Sequence, residues 1–146
     1  MKPTREAAES LFELACQHYA TFDRASVFKR PRQNGDAACD YCGTLSGGQS
    51  VAVKLLSSST DSLPLPERDR EGQTPELAQV AAMRGLALVI VRAGLQWWSV
   101  AWHDWSIATQ YAISMGQESL DADVLNEIGR RLKLLPCGGP DWLWTM

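Results

Sequence analysis

The stretch DYCGTLSGGQSVAVKLL, residues 40–56, decides the fold of this chain. Asp40 stands just before Gly43, which predicts a tight turn, and residues 50–56 form an apolar run that predicts a β-strand. Side chains on a strand alternate between its two faces. One face is expected to carry Val51, Val53 and Leu55, and the other Ala52, Lys54 and Leu56. The stretch therefore predicts an aspartate and a lysine on neighbouring segments, with no carboxylate between Gly43 and Asp61.

Hydrophobic periodicity and turn signals predict the other elements. Helices are predicted at residues 4–21, 75–84, 105–115 and 120–134, and strands at residues 26–30, 37–45, 50–56, 86–92 and 96–103. The Asn34-Gly35 pair favours a hairpin between the first two strands. Residues 57–72, rich in serine, proline and charge, predict a loop that could act as a lid. This order predicts an α/β fold with a central mixed sheet flanked by helices.

Composition limits the class of protein. The chain has 146 residues, of which 45% are hydrophobic and 21% charged, which is ordinary for a globular protein. We expect one domain over residues 1–146, with a C-terminal helix and tail at 117–146. The apolar run at residues 85–91 is too short to cross a bilayer, so we expect a cytoplasmic protein without membrane contact. A formal net charge of −3 means that nucleic acid would have to bind at a local basic patch.

The cysteines and the tryptophans each allow two interpretations. Cys39 and Cys42 form a CxxC motif, which is half of a zinc site, but no second compact pair follows. Reduced cysteines beside a strand are the better interpretation. The six tryptophans are Trp97, Trp98, Trp102, Trp105, Trp142 and Trp144. We expect at least half of them in the core, while part of the cluster could instead cover a subunit interface or stack on bases.

Several short motifs follow one another over about the first two-thirds of the chain. They are Phe12-Glu13, Phe28-Lys29-Arg30-Pro31, Asp40-Tyr41-Cys42-Gly43, Gly47 or Gly48, Ser62-Leu63-Pro64-Leu65, and Gln73 with Gly85. In this order the chain resembles the RecU-type Holliday junction resolvases and their phage relatives, a branch of the PD-(D/E)xK, restriction-endonuclease-like nucleases. The family signature on the third strand is glutamate-x-lysine, and this chain has no glutamate there.

The resemblance implies a metal site. Asp40 would be a metal ligand, Glu13 an outer or bridging ligand, and Gln73 would orient a water or a phosphate. An intact site would hold Mg²⁺ or Mn²⁺, which activates water for hydrolysis. Two alignments remain open. Either Ala52 replaces the glutamate and Lys54 is the family lysine, which keeps more of the chemistry, or Lys54 replaces the glutamate and Leu56 the lysine. In both, natural or introduced loss of one carboxylate predicts very slow or absent hydrolysis, with metal held weakly or not at all.

The resemblance also implies partners. It indicates a structure-selective endonuclease for branched or duplex DNA, inactive in this form, and a two-fold homodimer, because a junction presents two symmetric strands. Lys29, Arg30 and Arg32 are candidates for DNA binding. An alternative is a non-enzymatic binding protein, an inhibitor or adaptor of a recombination or defence factor, on the same scaffold. A third interpretation is an active nuclease in which Asp61 or Glu67 supplies the missing acid.

Overall fold

Helices cover both faces of a six-stranded sheet in the computed structural model, which describes residues 2–29, 40–65 and 75–143. The elements are α1 (Lys2–Thr21), β1 (Ala25–Lys29), β2 (Tyr41–Leu45), β3 (Ser50–Ser58), β4 (Leu63–Pro64), α2 (Pro75–Ala82), β5 (Leu86–Ala93), β6 (Gln96–Ala101), α3 (Trp102–Ser114), β7 (Ser119–Leu120), α4 (Ala122–Ile128) and β8 (Arg130–Arg131). The predicted α/β class, with a central mixed sheet flanked by helices, is confirmed. None of the helices described is long and apolar enough to span a bilayer.

The centre of the large sheet is a parallel pair of strands. The strand order is β1-β2-β3-β5-β6-β8, and β4 pairs with β7 in a separate two-stranded sheet. β3 runs parallel to β5, and α2 lies in the connection between them, which is the crossover that a parallel pair requires. The remaining neighbours in the large sheet are antiparallel. Most of β5 is buried, which explains its almost continuous apolar sequence.

The sheet separates two hydrophobic clusters. The first cluster joins α1 to Val51, Val53 and Leu55 of β3. The second cluster joins α2, α3 and α4 to Ala52 of β3, and Leu56 packs against it. The alternation predicted along residues 50–56 is therefore confirmed. It puts α1 on one face of the sheet and the other three helices on the opposite face.

The tight turn predicted at Gly43 is wrong, because Gly43 lies inside β2. A Cβ atom at this position would come 1.9 Å from the carbonyl oxygen of Ser26 in β1. Glycine is thus needed for the close approach of the two strands. The chain turns instead at Gly47 and Gly48, whose φ angles of +96° and +95° favour glycine. This turn returns the chain from β2 to β3 as an antiparallel pair.

The helix predicted at residues 120–134 is wrong beyond Ile128, where α4 ends. Arg130–Arg131 form β8, which pairs with the edge of β6. Gly129 lies between α4 and β8. A Cβ atom there would lie 2.7 Å from the carbonyl oxygen of Ser99, so glycine allows the chain to come close enough to pair with β6. The strand predicted at residues 96–103 is also too long, since it ends at Ala101 and α3 begins at Trp102.

The loop predicted at residues 57–72 is confirmed over residues 59–62, which form bends, and is wrong at residues 57–58 and 63–64, which form strands. β3 continues to Ser58, and β4 pairs with β7. Leu63 of β4 is 3% exposed and lies in the second cluster together with Leu120 of β7, so burial anchors this part of the proposed lid. Residues 66–72 lie outside the described residues, as does the Asn34-Gly35 pair. β1 and β2 form the antiparallel pair that this dipeptide predicts.

Most of the tryptophans pack inside the protein. Trp97 lies in the first cluster and Trp98 in the second, so the neighbouring pair points to opposite faces of the sheet. Trp105 and Trp142 are also buried. The core role predicted for at least half of the tryptophans is confirmed, while Trp144 lies outside the described residues.

Candidate functional site

The candidate site lies where β2 begins beside β3. Tyr41 pairs with Val53, and the Asp40 N–H donates to the Val53 carbonyl at 2.8 Å. Asp40 is thus level with Lys54 along the pair, and Ala52 is one diagonal step away. Directly opposite residues in such a pair have Cβ atoms about 5 Å apart, and diagonal neighbours about 7–8 Å. The structure brings Asp40, Ala52 and Lys54 onto adjoining segments, with Lys54 opposite the aspartate.

The Asp40 carboxylate binds the backbone of β3 next to the position where β2 begins. Asp40 is 4% exposed, and its Oδ2 accepts a hydrogen bond from the Leu55 N–H at 2.7 Å. Its Oδ1 lies 3.1 Å from Nη2 of Arg5 on α1, and Arg5 also donates to the Leu55 carbonyl. Both backbone groups of Leu55 are thereby bonded to side chains, two residues past Val53, the last β3 residue that pairs with β2 among the described residues. Asp40 and Arg5 thus satisfy this part of the β3 backbone.

Charged side chains extend this arrangement along α1 and onto β1. Arg5 Nε lies 2.9 Å from a Glu9 oxygen, and Lys29 Nζ lies 3.1 Å from the other. Burial opposes ionisation of Glu9, but the hydrogen bonds and positive charges of Lys29 and Arg5 together outweigh it and lower the pKa of Glu9. Arg5 and Glu9 are not among the site residues predicted from the sequence, although their i,i+4 spacing on a helix is a visible signal. Lys29, predicted to bind DNA, is half exposed and belongs to this network.

Glu13 is held by a tyrosine of the first cluster. Tyr41 Oη donates to Glu13 Oε2 at 2.8 Å, and the Tyr41 ring packs 4.7 Å from the Phe12 ring. Burial, then the hydrogen bond with Glu13, raises the pKa of Tyr41. This hydrogen bond places the Glu13 carboxylate on the α1 face of the sheet, whereas Ala52 faces the other three helices. The structure does not bring these two positions together.

Ala52 is part of the core. It is 1% exposed, and its strand neighbours are Cys42 on β2 and Ala87 on β5. Small side chains therefore surround it within the sheet, and the second cluster covers it. A longer side chain at this position would have to displace packed atoms. Three further predicted site residues, Gln73, Arg30 and Arg32, lie outside the described residues.

The side chains at the site do not fit a two-carboxylate metal centre. Within residues 2–29, 40–65 and 75–143, no three His, Cys, Asp or Glu side chains are grouped so that they could hold a metal. Ala52 has no oxygen ligand to offer, and the Arg5 guanidinium beside Asp40 would repel a divalent cation. Cys42 is a free thiol of intermediate exposure, and Cys39 lies outside the described residues.

Comparison with known proteins identifies the scaffold. No protein-family model matches the chain, and no curated protein matches it. Among solved structures, it is similar to Hjc of Archaeoglobus fulgidus, a Holliday junction resolvase from an archaeal hyperthermophile. The TM-score is 0.54 at 14% identity, over 82% of this chain and 93% of that chain. The chain thus shares the overall fold of that protein, and the resemblance to the RecU type stays a prediction.

Proposed function

We propose that this chain is a DNA-binding protein on a resolvase-like nuclease scaffold, and that it does not cleave DNA. The pairing of β2 with β3 supports this proposal, because it places Lys54 level with Asp40, where a two-carboxylate site needs a second acid. An ammonium group there repels a divalent cation instead of binding it. The ion pair between Arg5 and Asp40 places a further positive charge at the site.

Of the two alignments with the nuclease signature, the register favours the second. Ala52 is enclosed in the core, whereas Lys54 and Leu56 are half-buried. A group that binds metal against a DNA phosphate has to reach the surface. We infer that Lys54 replaces the glutamate and Leu56 replaces the lysine. The loss would then affect two positions of the signature.

The distribution of charge supports a DNA surface near β1. Residues 102–128 contain five acidic residues and no lysine or arginine, while the rest of the chain has all 14 lysines and arginines against the remaining 12 of its 17 acidic residues. Phosphates would avoid the acidic segment. We propose that Lys29, Arg30 and Arg32 contact the DNA backbone, and that two copies assemble so that each faces one strand of a branched substrate.

DNA binding can be tested with a labelled four-way junction and a matched duplex, by fluorescence anisotropy at several salt concentrations. The chain should bind and leave both substrates intact with Mg²⁺ or Mn²⁺. Replacing Lys29, Arg30 and Arg32 by glutamine should lower the slope of log K against log salt by about 0.9 for each phosphate that the variant no longer neutralises. The matched control replaces three exposed arginines elsewhere, Arg84, Arg130 and Arg131. Metal-dependent cleavage by the unaltered chain would refute the proposal, and equal slopes would show that DNA binds elsewhere.

A gain-of-function experiment separates the two alignments. The variant Lys54→Glu with Leu56→Lys should bind Mn²⁺ more tightly than the unaltered chain by titration calorimetry, because it puts two carboxylates opposite each other. Ala52→Glu should instead lose stability without gaining Mn²⁺ affinity, because its carboxylate enters the core. Removing Asp40 from the first variant should abolish the gain. A gain in Ala52→Glu alone would establish the other alignment.

A second candidate is the non-enzymatic adaptor or inhibitor. The concentration of acidic charge in residues 102–128 favours it, since that part of the protein is unsuited to DNA and suited to a basic protein partner. Absence of any DNA binding in the anisotropy experiment, with the chain folded, would make this the better function.

A further inference from the structure

A surface groove runs between α3 and α4, on the opposite side of the sheet from α1. Its volume is about 470 Å³. Ile107 and Tyr111 line it from α3, and Val124 and Ile128 line it from α4. The floor is formed partly by Leu120, which is buried. The groove is therefore mainly apolar and backed by the packed second cluster.

Large apolar side chains extend from the groove along α3. Ile107 is 56% exposed, Tyr111 63% and Met115 60%. Their spacing of four residues places Ile107 and Tyr111 on one side of α3, and Met115 follows directly after the last residue of this helix. Isolated exposed apolar residues are common on protein surfaces, but a contiguous patch beside a groove is typical of an interaction surface.

The two charged residues that line the groove are both acidic. Asp104 and Glu127 are among its lining residues, and both are exposed. The surrounding segment, residues 102–128, adds three further acids and contains no lysine or arginine. These acids exceed the chain's formal net charge of −3, so the acidic excess of the whole protein is concentrated here. A ligand for this groove needs an apolar face and positive charge beside it.

We propose that the groove binds a helical segment of a partner protein whose apolar face is flanked by lysine or arginine. Helices of this kind dock into apolar grooves through residues at three- and four-residue spacing, and the acids would select the basic flanks. α3 has 13 residues, so a partner helix of about three to four turns would match its length of roughly 20 Å. This inference goes beyond DNA binding and does not depend on it.

A second copy of this chain is a poorer occupant. In a two-fold contact the same surface patch meets itself. Asp104 and Glu127 would then lie against the acids of the other copy, and like charges in an interface are costly. The groove could fill with apolar surface in such a dimer, but the charges would remain unpaired.

The probe for the test is a synthetic 14-residue amphipathic helix, of about four turns, with a leucine face and lysine flanks. The control peptide has the same leucines and glutamate in place of every lysine. Fluorescence anisotropy, without DNA, should show binding of the lysine peptide and none of the glutamate peptide. Ile107→Ser with Tyr111→Ser should weaken binding by about tenfold or more, the effect of removing interface anchors. Asp104→Asn with Glu127→Gln should weaken it and flatten its salt dependence.

Matched controls lie outside the groove. Leu95→Ser and Met83→Ser remove apolar side chains that are each 82% exposed, and Glu6→Gln and Asp61→Asn remove exposed acids. These variants should bind the lysine peptide as the unaltered chain does. Equal affinity for both peptides, or equal loss of affinity in groove and control variants, would overturn the proposal. So would self-association of the chain that Tyr111→Ser abolishes in sedimentation experiments, because the occupant would then be a second copy.

Discussion

Replacing Asp40 by alanine distinguishes a structural aspartate from a catalytic one. The carboxylate is 4% exposed, accepts from the Leu55 N–H and pairs with Arg5. Asp40→Ala would take the acceptor from Leu55 and one of the two carboxylates that pair with Arg5, leaving Glu9 as the other. We therefore expect the protein to lose stability, although no large apolar side chain is removed.

The expected loss of stability can be estimated from these two interactions. Removing one partner of a buried ion pair typically costs about 3–5 kcal/mol, and a backbone N–H left without its acceptor about 1–3 kcal/mol. These costs overlap, Arg5 keeps its ion pair with Glu9, and Arg5 is 26% exposed, so Glu9 and water recover part of them. We expect about 3 kcal/mol for Asp40→Ala. In a chain of this size that corresponds to a fall in Tm of roughly 6–12 °C.

Urea and thermal unfolding followed by circular dichroism measure this change. Asp40→Asn keeps an oxygen for the Leu55 N–H and should lose less stability. Asp61→Ala, which removes an exposed acid, should change stability by less than about 0.5 kcal/mol. If Asp40→Ala were as stable as the unaltered chain, or more stable, the structural role of Asp40 at the β3 backbone would be refuted. Such a result is typical of a residue kept for function at a cost in stability.

Two further substitutions test neighbouring features. The pKa of Glu9 is lowered in the folded protein, so ionised Glu9 contributes fully to stability above its unfolded pKa of about 4.3, and this contribution is lost as pH falls through the lower folded pKa. Glu9→Gln should therefore weaken the dependence of Tm on pH in this acid range. The control Glu6→Gln, at an exposed position, should leave that dependence unchanged. Gly43→Ala would put a Cβ 1.9 Å from the Ser26 carbonyl oxygen and should lower the free energy of unfolding by at least the roughly 1–3 kcal/mol typical of overpacking. Thr44→Ala, at an exposed position of the same strand, should lower it less. Equal urea midpoints for these two variants would show that β1 can move away at little cost.

Features that depend on neighbouring residues could be predicted from the sequence. The alternation of Val51, Val53 and Leu55 with smaller or polar residues predicted both β3 and its core face, because strand periodicity is set by backbone geometry alone. The α1 helix and the α/β order followed from helical spacing in the same way. The acidic excess of residues 102–128 could also be counted before any fold was known.

Features that depend on which segments meet could not be predicted in this way. Asp40 lies opposite Lys54 because the turn at Gly47 and Gly48 sets the register between β2 and β3. A shift of this register by one residue would have moved every side chain of one strand to the other face of the sheet. Arg5 lies on α1, 35 positions before Asp40. The two side chains meet because α1 packs across the face of the sheet that carries the first cluster. β8, with two residues, has no periodicity to detect and forms only because Gly129 allows it to reach β6. Contacts between segments that are distant in sequence decided each of these features, because the free energy that stabilises them comes from those contacts and not from local preference.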